Sequence, residues 1–192
     1  MIERLIGPAL RTAGADVLNV ACGPFAVEFY LNLAACHVES FDREPRLEPL
    51  HRELTGRGLI SSTSFEVADA NTFKTSRQFD VVLINDLFYS RHVDFHTLLP
   101  RYAARVKPGG ILYFDIQDQR AGPLWRAFRK DGAFRRYDLA SVTRVLREAG
   151  FEIDAIEPAL GIKGGLDGVL RRGMWRFGGL ANSFVFVARK TL

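Results

Sequence analysis

The chain has few of the features that mark secreted, membrane-spanning or disulfide-stabilised proteins. Only two of its 192 residues are cysteines, and Cys22 and Cys36 do not have the spacing of a metal site. No stretch reaches the roughly 18 to 20 consecutive apolar residues that a membrane span requires. Glu3 and Pro8 stand where a signal peptide would have a basic start and an unbroken apolar run. We therefore predict a cytoplasmic protein with reduced thiols and no transmembrane segment.

The composition also lacks the bias of disordered or fibrous proteins. Hydrophobic residues make up 47% of the chain and charged residues 25%, which is close to the usual balance of globular proteins. A chain of 192 residues is long enough to bury a core without metal or disulfide support. We predict a single domain over residues 1–192.

Apolar runs that end in turn residues alternate with helix-like segments along the chain. Strands are predicted at residues 17–20, 38–42, 65–68, 79–84, 111–116, 151–156 and 183–187. Helices are predicted at residues 2–13, 26–36, 50–57, 98–106 and from 138 or 141 to 148, with a turn at residues 107–110. This alternation favours an α/β fold with a doubly wound, mostly parallel sheet, whose ligands bind outside the carboxyl ends of the strands.

Small and polar residues follow several of the predicted strands. Ala21 and Gly23 lie in a turn between the first strand and a helix, where side chains without bulk let a ligand approach the backbone. Later strands end at or just before a polar residue, namely Asp42, Asp69, Asn85, Asp86 and Asp118. The sequence therefore predicts a ligand site at this edge of the sheet.

The order of these motifs resembles that of the class I S-adenosylmethionine-dependent methyltransferases, from about Ala15 to Lys190. The family's glycine-rich turn is similar to residues 19–25, and its acids after the second and third strands are similar to Asp42 and to Asp69 with Ala70. Residues 79–82 resemble the fourth strand, and residues 107–110 resemble the turn into the fifth. The resemblance implies a Rossmann-like, seven-stranded sheet with an antiparallel last strand, and S-adenosyl-L-methionine as cofactor.

The same resemblance implies a role for each matching position. Asp42 would accept hydrogen bonds from the ribose hydroxyls, and Asp69 from the adenine amino group. The Ala70 N–H would donate to an adenine ring nitrogen, and the Arg43 guanidinium would stack on adenine. Asn85 and the turn would face the methionine part. The implied cofactor-binding set is Asn19, Ala21, Cys22, Gly23, Asp42, Arg43, Asp69, Ala70 and Asn85.

Three positions of the turn depart from the family pattern. Asn19 stands in place of an acid, and Ala21 and Phe25 stand in place of glycines. Replacing glycine with alanine changes little, but the ring of Phe25 is expected to reshape the pocket wall or to point away from it.

The segment after the fourth predicted strand is a candidate for the acceptor side. Residues 85–88 occupy the place of an Asn/Asp-Pro-Pro-Tyr/Phe motif but lack both prolines, which argues against methylation of nucleobases or glutamine. Phe88 and Tyr89 are predicted to line a small-molecule pocket. His92 and His96 are candidate general bases and would share a face if the segment were helical, whereas the plainer interpretation is two solvated loop histidines. No metal site is predicted.

Basic residues concentrate in the C-terminal third. Residues 1–119 contain 12 Lys and Arg against 15 Asp and Glu, whereas residues 120–192 contain 14 against 7, so the net charge changes from −3 to +7. Two segments there combine Arg with Trp and Phe. One contains Trp125, and the other, a basic insertion at about 161–182, contains Arg172 and Trp175. They suit an anionic acceptor, a nucleic-acid backbone or an anionic lipid surface, unless they form only a solvated basic face.

Three functions follow from the sequence. The favoured one is methyl transfer from S-adenosylmethionine to a small organic acceptor. The first alternative is an RNA-modifying methyltransferase that binds nucleic acid through the basic third. The second is a regulatory or partner subunit that binds the cofactor without transferring methyl groups.

Overall fold

The computed structural model describes residues 2–10, 14–33, 36–61, 63–120, 135–159, 169, 173, 175, 181 and 183–191. Its helices are α1 (Ile2–Leu10), α2 (Ala26–Leu33), α3 (Leu47–Gly56), α4 (Phe95–Ala103) and α5 (Leu139–Glu148). Its strands are β1 (Asp16–Val20), β2 (His37–Asp42), β3 (Thr63–Val67), β4 (Phe79–Ile84), β5 (Val106–Gln117), β6 (Phe151–Pro158) and β7 (Ser183–Lys190). None of the helices in these ranges is long and apolar enough to cross a membrane.

The seven strands form one sheet in the order β3-β2-β1-β4-β5-β7-β6. The first five strands run parallel, whereas β7 is antiparallel to both β5 and β6. This arrangement confirms the predicted doubly wound sheet with an antiparallel last strand. The chain moves outward from β1 through β2 to β3 and then returns to place β4 on the other side of β1. The carboxyl ends of β1 and β4 therefore flank the topological switch point, where such sheets bind ligands.

Both faces of the central strands are covered. In β4, Val82 and Ile84 pack into one buried cluster, and Val81 and Leu83 pack into another on the opposite face. Alternate residues of a strand point to opposite faces, so an unbroken apolar run is what a doubly covered strand requires. The prediction for residues 79–84 is confirmed for this reason.

The turn predicted at residues 107–110 lies within β5. Val106 pairs with Phe79 and Ile111 pairs with Val81, so four residues of β5 bulge out opposite Asp80. Gly109 takes a positive φ of 75° in this bulge, and a Cβ on Gly110 would come within 2.8 Å of the Asp80 carbonyl oxygen. The glycines thus shape an irregularity inside the strand rather than its beginning.

Three predicted helices differ from the structure at their ends. The helix expected at 98–106 begins at Phe95, because Asp94 caps it by accepting a hydrogen bond of 3.1 Å from the Thr97 N–H. The helix expected at 50–57 begins at Leu47, since Pro49 falls in the first turn, where no N–H is required. The helix expected at 26–36 ends at Leu33. Residues 11–13 of the first predicted helix lie outside the described residues.

Candidate active site

The turn after β1 adopts a backbone conformation that favours small residues. Ala21 and Gly23 have positive φ angles of 53° and 58°. Apart from the adjacent residues in the chain, no described residue has an atom within 4 Å of the position that a Gly23 Cβ would occupy, so the backbone borders open space. The Cys22 N–H donates to the Phe41 carbonyl oxygen at 3.0 Å and ties the turn to β2. A ligand can therefore approach the backbone closely at this turn.

Asp42, at the end of β2, is held by two backbone N–H groups. Its Oδ2 accepts from the Gly23 N–H and its Oδ1 from the Glu44 N–H, each at 3.0 Å. An ionised carboxylate has about four acceptor positions, so each oxygen retains a lone pair for another donor. The carboxylate is thus fixed in place and still able to bind a pair of hydroxyl groups.

Asp69 and Ala70 form a second polar turn beyond β3. Asp69 Oδ1 accepts from the Asn71 N–H at 2.7 Å and from the Asn71 side-chain amide at 2.9 Å. The Tyr102 hydroxyl donates to the Ala70 carbonyl oxygen at 2.8 Å. These bonds fix the direction of the Asp69 carboxylate and the Ala70 backbone.

A cleft of about 180 Å³ joins the turn after β1 to both acids. Five predicted cofactor residues line it, namely Ala21, Asp42, Arg43, Asp69 and Ala70. Two larger grooves, of about 280 and 310 Å³, open along β2 and β3. Neither groove contains these acids, and the switch point of the sheet lies at the smaller cleft, so we take the smaller cleft as the site.

The cleft also contains residues outside the predicted cofactor-binding set. Phe41, Asn71 and Ser90 contribute to its wall, and so does Asp86, which follows β4. Asp86 has a positive φ of 56°, an unusual backbone conformation for a residue other than glycine. The sequence places Asp86 at a strand end without indicating a role for it, whereas no sequence signal points to Phe41 or Ser90.

Asn19 lies behind the turn and not in the cleft. It is 1% exposed, and its side-chain amide donates to Glu28 Oε1 at 2.8 Å. The Ser40 hydroxyl donates to the same oxygen, and Glu28 Oε2 is buried without a hydrogen-bond partner in the part of the chain that the structure describes. Burial raises the pKa of the Glu28 carboxyl. Asn19 therefore contributes to a buried polar network that joins β1, α2 and β2.

Phe25 points away from the cleft, which is one of the two outcomes expected from the sequence. Its side chain is fully buried, and its ring centroid lies 5.3 Å from that of His51 and 5.2 Å from that of Phe65. The residue has a φ of 62°, the conformation that a glycine would adopt easily. The turn thus keeps the backbone shape of a glycine turn while its side chain fills a gap between α3 and β3.

The two predicted histidines are separated by the start of α4. His92 is in the loop before the helix and lines the cleft, and its carbonyl oxygen accepts from the Asn71 side chain at 3.3 Å. His96 is exposed on α4, with its ring beside Phe95. The two rings therefore do not share a helix face, because Asp94 starts the helix two residues after His92.

The predicted acceptor residues are dispersed. Phe88 is fully buried against Phe95 and Phe114, with centroid distances of 4.9 and 5.7 Å, so it belongs to the core and does not line a pocket. Tyr89 is partly buried, and Trp175 lies against Phe184 of β7 at 5.8 Å. Trp125, Arg172 and most of the predicted insertion at 161–182 lie outside the described residues.

Two carboxyl groups meet where β4 and β5 end. The Asp86 N–H donates to Asp115 Oδ1 at 2.7 Å. Asp115 is 9% exposed. Burial, together with the neighbouring Asp86, raises the pKa of Asp115 to about 7. Asp115 therefore changes its protonation state near neutral pH.

The family is settled by a match over most of the chain. Residues 2–156 match the model of the methyltransferase domain family. The chain belongs to this family. The predicted methyltransferase membership, and with it the enzyme class, is confirmed.

Solved structures of methyltransferases share the fold of this methyltransferase domain. Magnesium protoporphyrin IX methyltransferase from Synechocystis, with S-adenosylhomocysteine bound, is 14% identical with a TM-score of 0.71, over 99% of this chain and 80% of that chain. The N-methyltransferase NodS from Bradyrhizobium japonicum is 17% identical with a TM-score of 0.68, over 98% and 83%. A methyltransferase from Mesorhizobium loti is 16% identical with a TM-score of 0.67, over 97% and 98%.

Proposed function

We propose that the protein transfers a methyl group from S-adenosylmethionine to a small organic acceptor in the cytoplasm. One observation is central to the proposal: Ala21, Asp42, Asp69 and Asp86 border a single cleft at the switch point of the sheet. Cys22 and Cys36 are buried and are not linked by a disulfide, which is consistent with a reducing compartment.

The residues of the cleft fit the cofactor from its adenosine end to its methionine end. Asp42 offers free lone pairs to the ribose hydroxyls from a carboxylate already fixed by two backbone donors. Asp69 and the Ala70 backbone face the adenine edge, and Arg43 and His92 lie at the same end of the cleft. The open backbone at Gly23 and Ala21 takes the methionine part together with Asn85, which follows the neighbouring strand β4.

In the proposal, Asn19 and Cys22 hold the turn after β1 in place. Both are buried, and the network of Asn19 with Glu28 holds the strand that precedes the turn. When bound, S-adenosylmethionine supplies a methyl group already activated on a sulfonium. The protein's part is to fix the cofactor and align the acceptor for in-line transfer. A catalytic role for His92 or His96 stays a prediction.

Titration calorimetry tests the proposal directly. We expect the protein to bind both S-adenosylmethionine and S-adenosylhomocysteine, and we expect a screen of small amines, phenols, alcohols and carboxylic acids to give at least one methylated product. An anionic acceptor would agree with the basic C-terminal third. Failure to bind either cofactor form would overturn the proposal.

The two alternatives give different results in the same experiments. An RNA-modifying enzyme would bind RNA with a steep salt dependence, because each phosphate contact releases counterions. A regulatory subunit would bind the cofactor and methylate nothing in the screen. The similarity of this fold to that of magnesium protoporphyrin IX methyltransferase, an enzyme with a small-molecule acceptor, supports the small acceptor.

A further inference from the structure

The strand order places β5 on the acceptor side of the cofactor. The acids of the proposed adenosine end follow β2 and β3, and the turn of the methionine end follows β1. β4 lies next to β1, and β5 lies next to β4 on the side away from β2. An acceptor atom in line with the transferred methyl group therefore approaches over the ends of β4 and β5.

The carboxyl pair of Asp86 and Asp115 lies at these two strand ends. Asp86 is exposed and borders the cleft, whereas Asp115, on β5, is 9% exposed. The hydrogen bond from the Asp86 N–H to Asp115 Oδ1 joins the two residues. Two neighbouring carboxyl groups do not both ionise readily, which agrees with the raised pKa of Asp115. Burial raises the pKa of the neighbouring Tyr113, and the charges of Asp115 and Asp86 raise it further.

Gln117 supplies an independent sign of a ligand. Its side-chain oxygen is buried and without a hydrogen-bond partner among the described residues, and the residue is 8% exposed. Gln117 lies two residues after Asp115 on β5, so the two side chains leave the same face of the sheet. A buried acceptor without a donor is costly, unless a ligand or water supplies one.

Building on the proposed function, we propose that Asp86, Asp115 and Gln117 form the subsite for the acceptor atom, and that this atom belongs to an amine or hydroxyl group. The Gln117 oxygen and the Asp115 carboxyl oxygen accept hydrogen bonds from the N–H or O–H of the acceptor. The electron pair of the nitrogen or oxygen forms a bond to the methyl carbon as the carbon–sulfur bond breaks. The proton of the acceptor passes to Asp115 in its ionised form, which later releases it to water.

The raised pKa of Asp115 agrees with this role, because a base that titrates near neutral pH both accepts and releases protons readily. A purely structural interpretation is that Asp115 serves only to bind the Asp86 N–H. Asn at position 115 would keep that backbone bond, since its amide oxygen accepts in the same place. The two interpretations therefore differ in what Asp115→Asn does to a ligand.

The test compares two ligands that share their adenosine and amino-acid parts. One is S-adenosylhomocysteine, and the other is an analogue that presents a protonated primary amine at the position of the transferred methyl group. We expect Asp115→Asn and Asp86→Asn each to weaken binding of the amine analogue about tenfold or more, as for a lost charged hydrogen bond. Binding of S-adenosylhomocysteine should change by less than about twofold. Gln117→Met should weaken binding of the amine analogue by about threefold.

Asp154→Asn is the matched control. Asp154 lies on β6, the edge strand of the sheet, and pairs with Arg189 at 2.8 Å, so its replacement should leave both affinities unchanged. Asparagine tolerates the positive φ of Asp86, so Asp86→Asn is expected to fold. If Asp115→Asn does not fold, the affinities of Asp86→Asn for the two ligands test the proposal. If the variants lost affinity equally for both ligands, the pair would belong to cofactor binding and the proposal would be overturned. Unchanged affinity for both ligands would overturn it as well. If the unaltered protein bound neither ligand, the proposed function would fail, and this inference with it.

Discussion

The backbone N–H of Gly23 donates a hydrogen bond of 3.0 Å to Asp42 Oδ2, so the turn after β1 and the acid at the end of β2 hold each other in place. Gly23 follows β1 and Asp42 ends β2, and these strand ends meet because β1 pairs in parallel with β2 from Asp16 to Val20. One hydrogen bond thus links the proposed ribose site to the proposed methionine site.

Asp42→Ala should lose cofactor binding. The change removes both the proposed ribose acceptor and the partner of the Gly23 N–H, so we expect the affinity for S-adenosylhomocysteine to fall by about 10- to 100-fold. Titration calorimetry measures it. Glu44→Ala is the control, because that side chain is engaged in an exposed ion pair with Arg46 and should change the affinity little. Unchanged binding in Asp42→Ala would remove Asp42 from the site.

Phe25→Ala should destabilise the fold and leave cofactor binding intact. Removing a fully buried ring from between His51 and Phe65 is expected to cost about 3 to 5 kcal/mol. Phe25→Gly should cost no more than Phe25→Ala, since glycine relieves about 1 kcal/mol of strain at the positive φ. Urea unfolding measures both. A loss of affinity as large as that of Asp42→Ala would instead place the ring in the cofactor wall.

Glu28→Ala should be more destabilising than Glu28→Gln. Alanine leaves the buried Asn19 and Ser40 without their shared acceptor, for an expected cost of about 3 kcal/mol. Glutamine keeps an oxygen in that position and should cost about 1 kcal/mol or less. The measurement is the free energy of unfolding in urea at neutral pH. Glu48→Ala on the exposed face of α3 should cost under about 0.5 kcal/mol.

Asp115 should make the protein less stable as pH rises toward neutrality. Its pKa is raised to about 7 in the folded state and returns to its ordinary value of about 4 on unfolding. Between these values the folded state holds a proton that the unfolded state has lost, so the free energy of unfolding falls by about 1.4 kcal/mol per pH unit from this group.

The measurement compares the free energy of unfolding of the unaltered protein with that of Asp115→Asn at pH 5, 6, 7 and 8. As pH rises from 5 to about 7, the unaltered protein should lose stability relative to Asp115→Asn. Above about pH 7 the difference between the two free energies of unfolding should stay constant. The curve of unfolding free energy against pH for Asp154→Asn should run parallel to that of the unaltered protein throughout. Parallel curves for Asp115→Asn as well would show that this carboxyl has an ordinary pKa.

Much of the fold could be predicted from the sequence, because it depends on local signals. The apolar run at residues 79–84 specifies a strand covered on both faces, and it was predicted with its observed ends. Helix ends were predicted less well. The cap at Asp94 and the tolerance for Pro49 depend on side-chain contacts and turn geometry that compete with simpler stop signals.

The sequence predicted those residues of the candidate site that stand at the end of a strand. Asp42 and Asp69 lie in the cleft because the carboxyl ends of parallel strands meet at one edge. Phe88 and Asn19 could not be placed in this way. Whether a residue faces a cavity or the core depends on which elements pack against it, and Phe88 meets rings from α4 and β5.

The sequence by itself determined the alternation of strands and helices, the turn that follows β1 and the acids that follow β2 and β3, since each is written in a short stretch of chain. Only the tertiary structure decided which side chains meet. Glu28 is joined to Asn19 and Ser40, and Asp86 to Asp115 across 29 positions, because strand order and register bring distant segments together. Such contacts leave no periodic or local pattern in the chain, so the carboxyl pair became visible only once β4 and β5 were placed side by side.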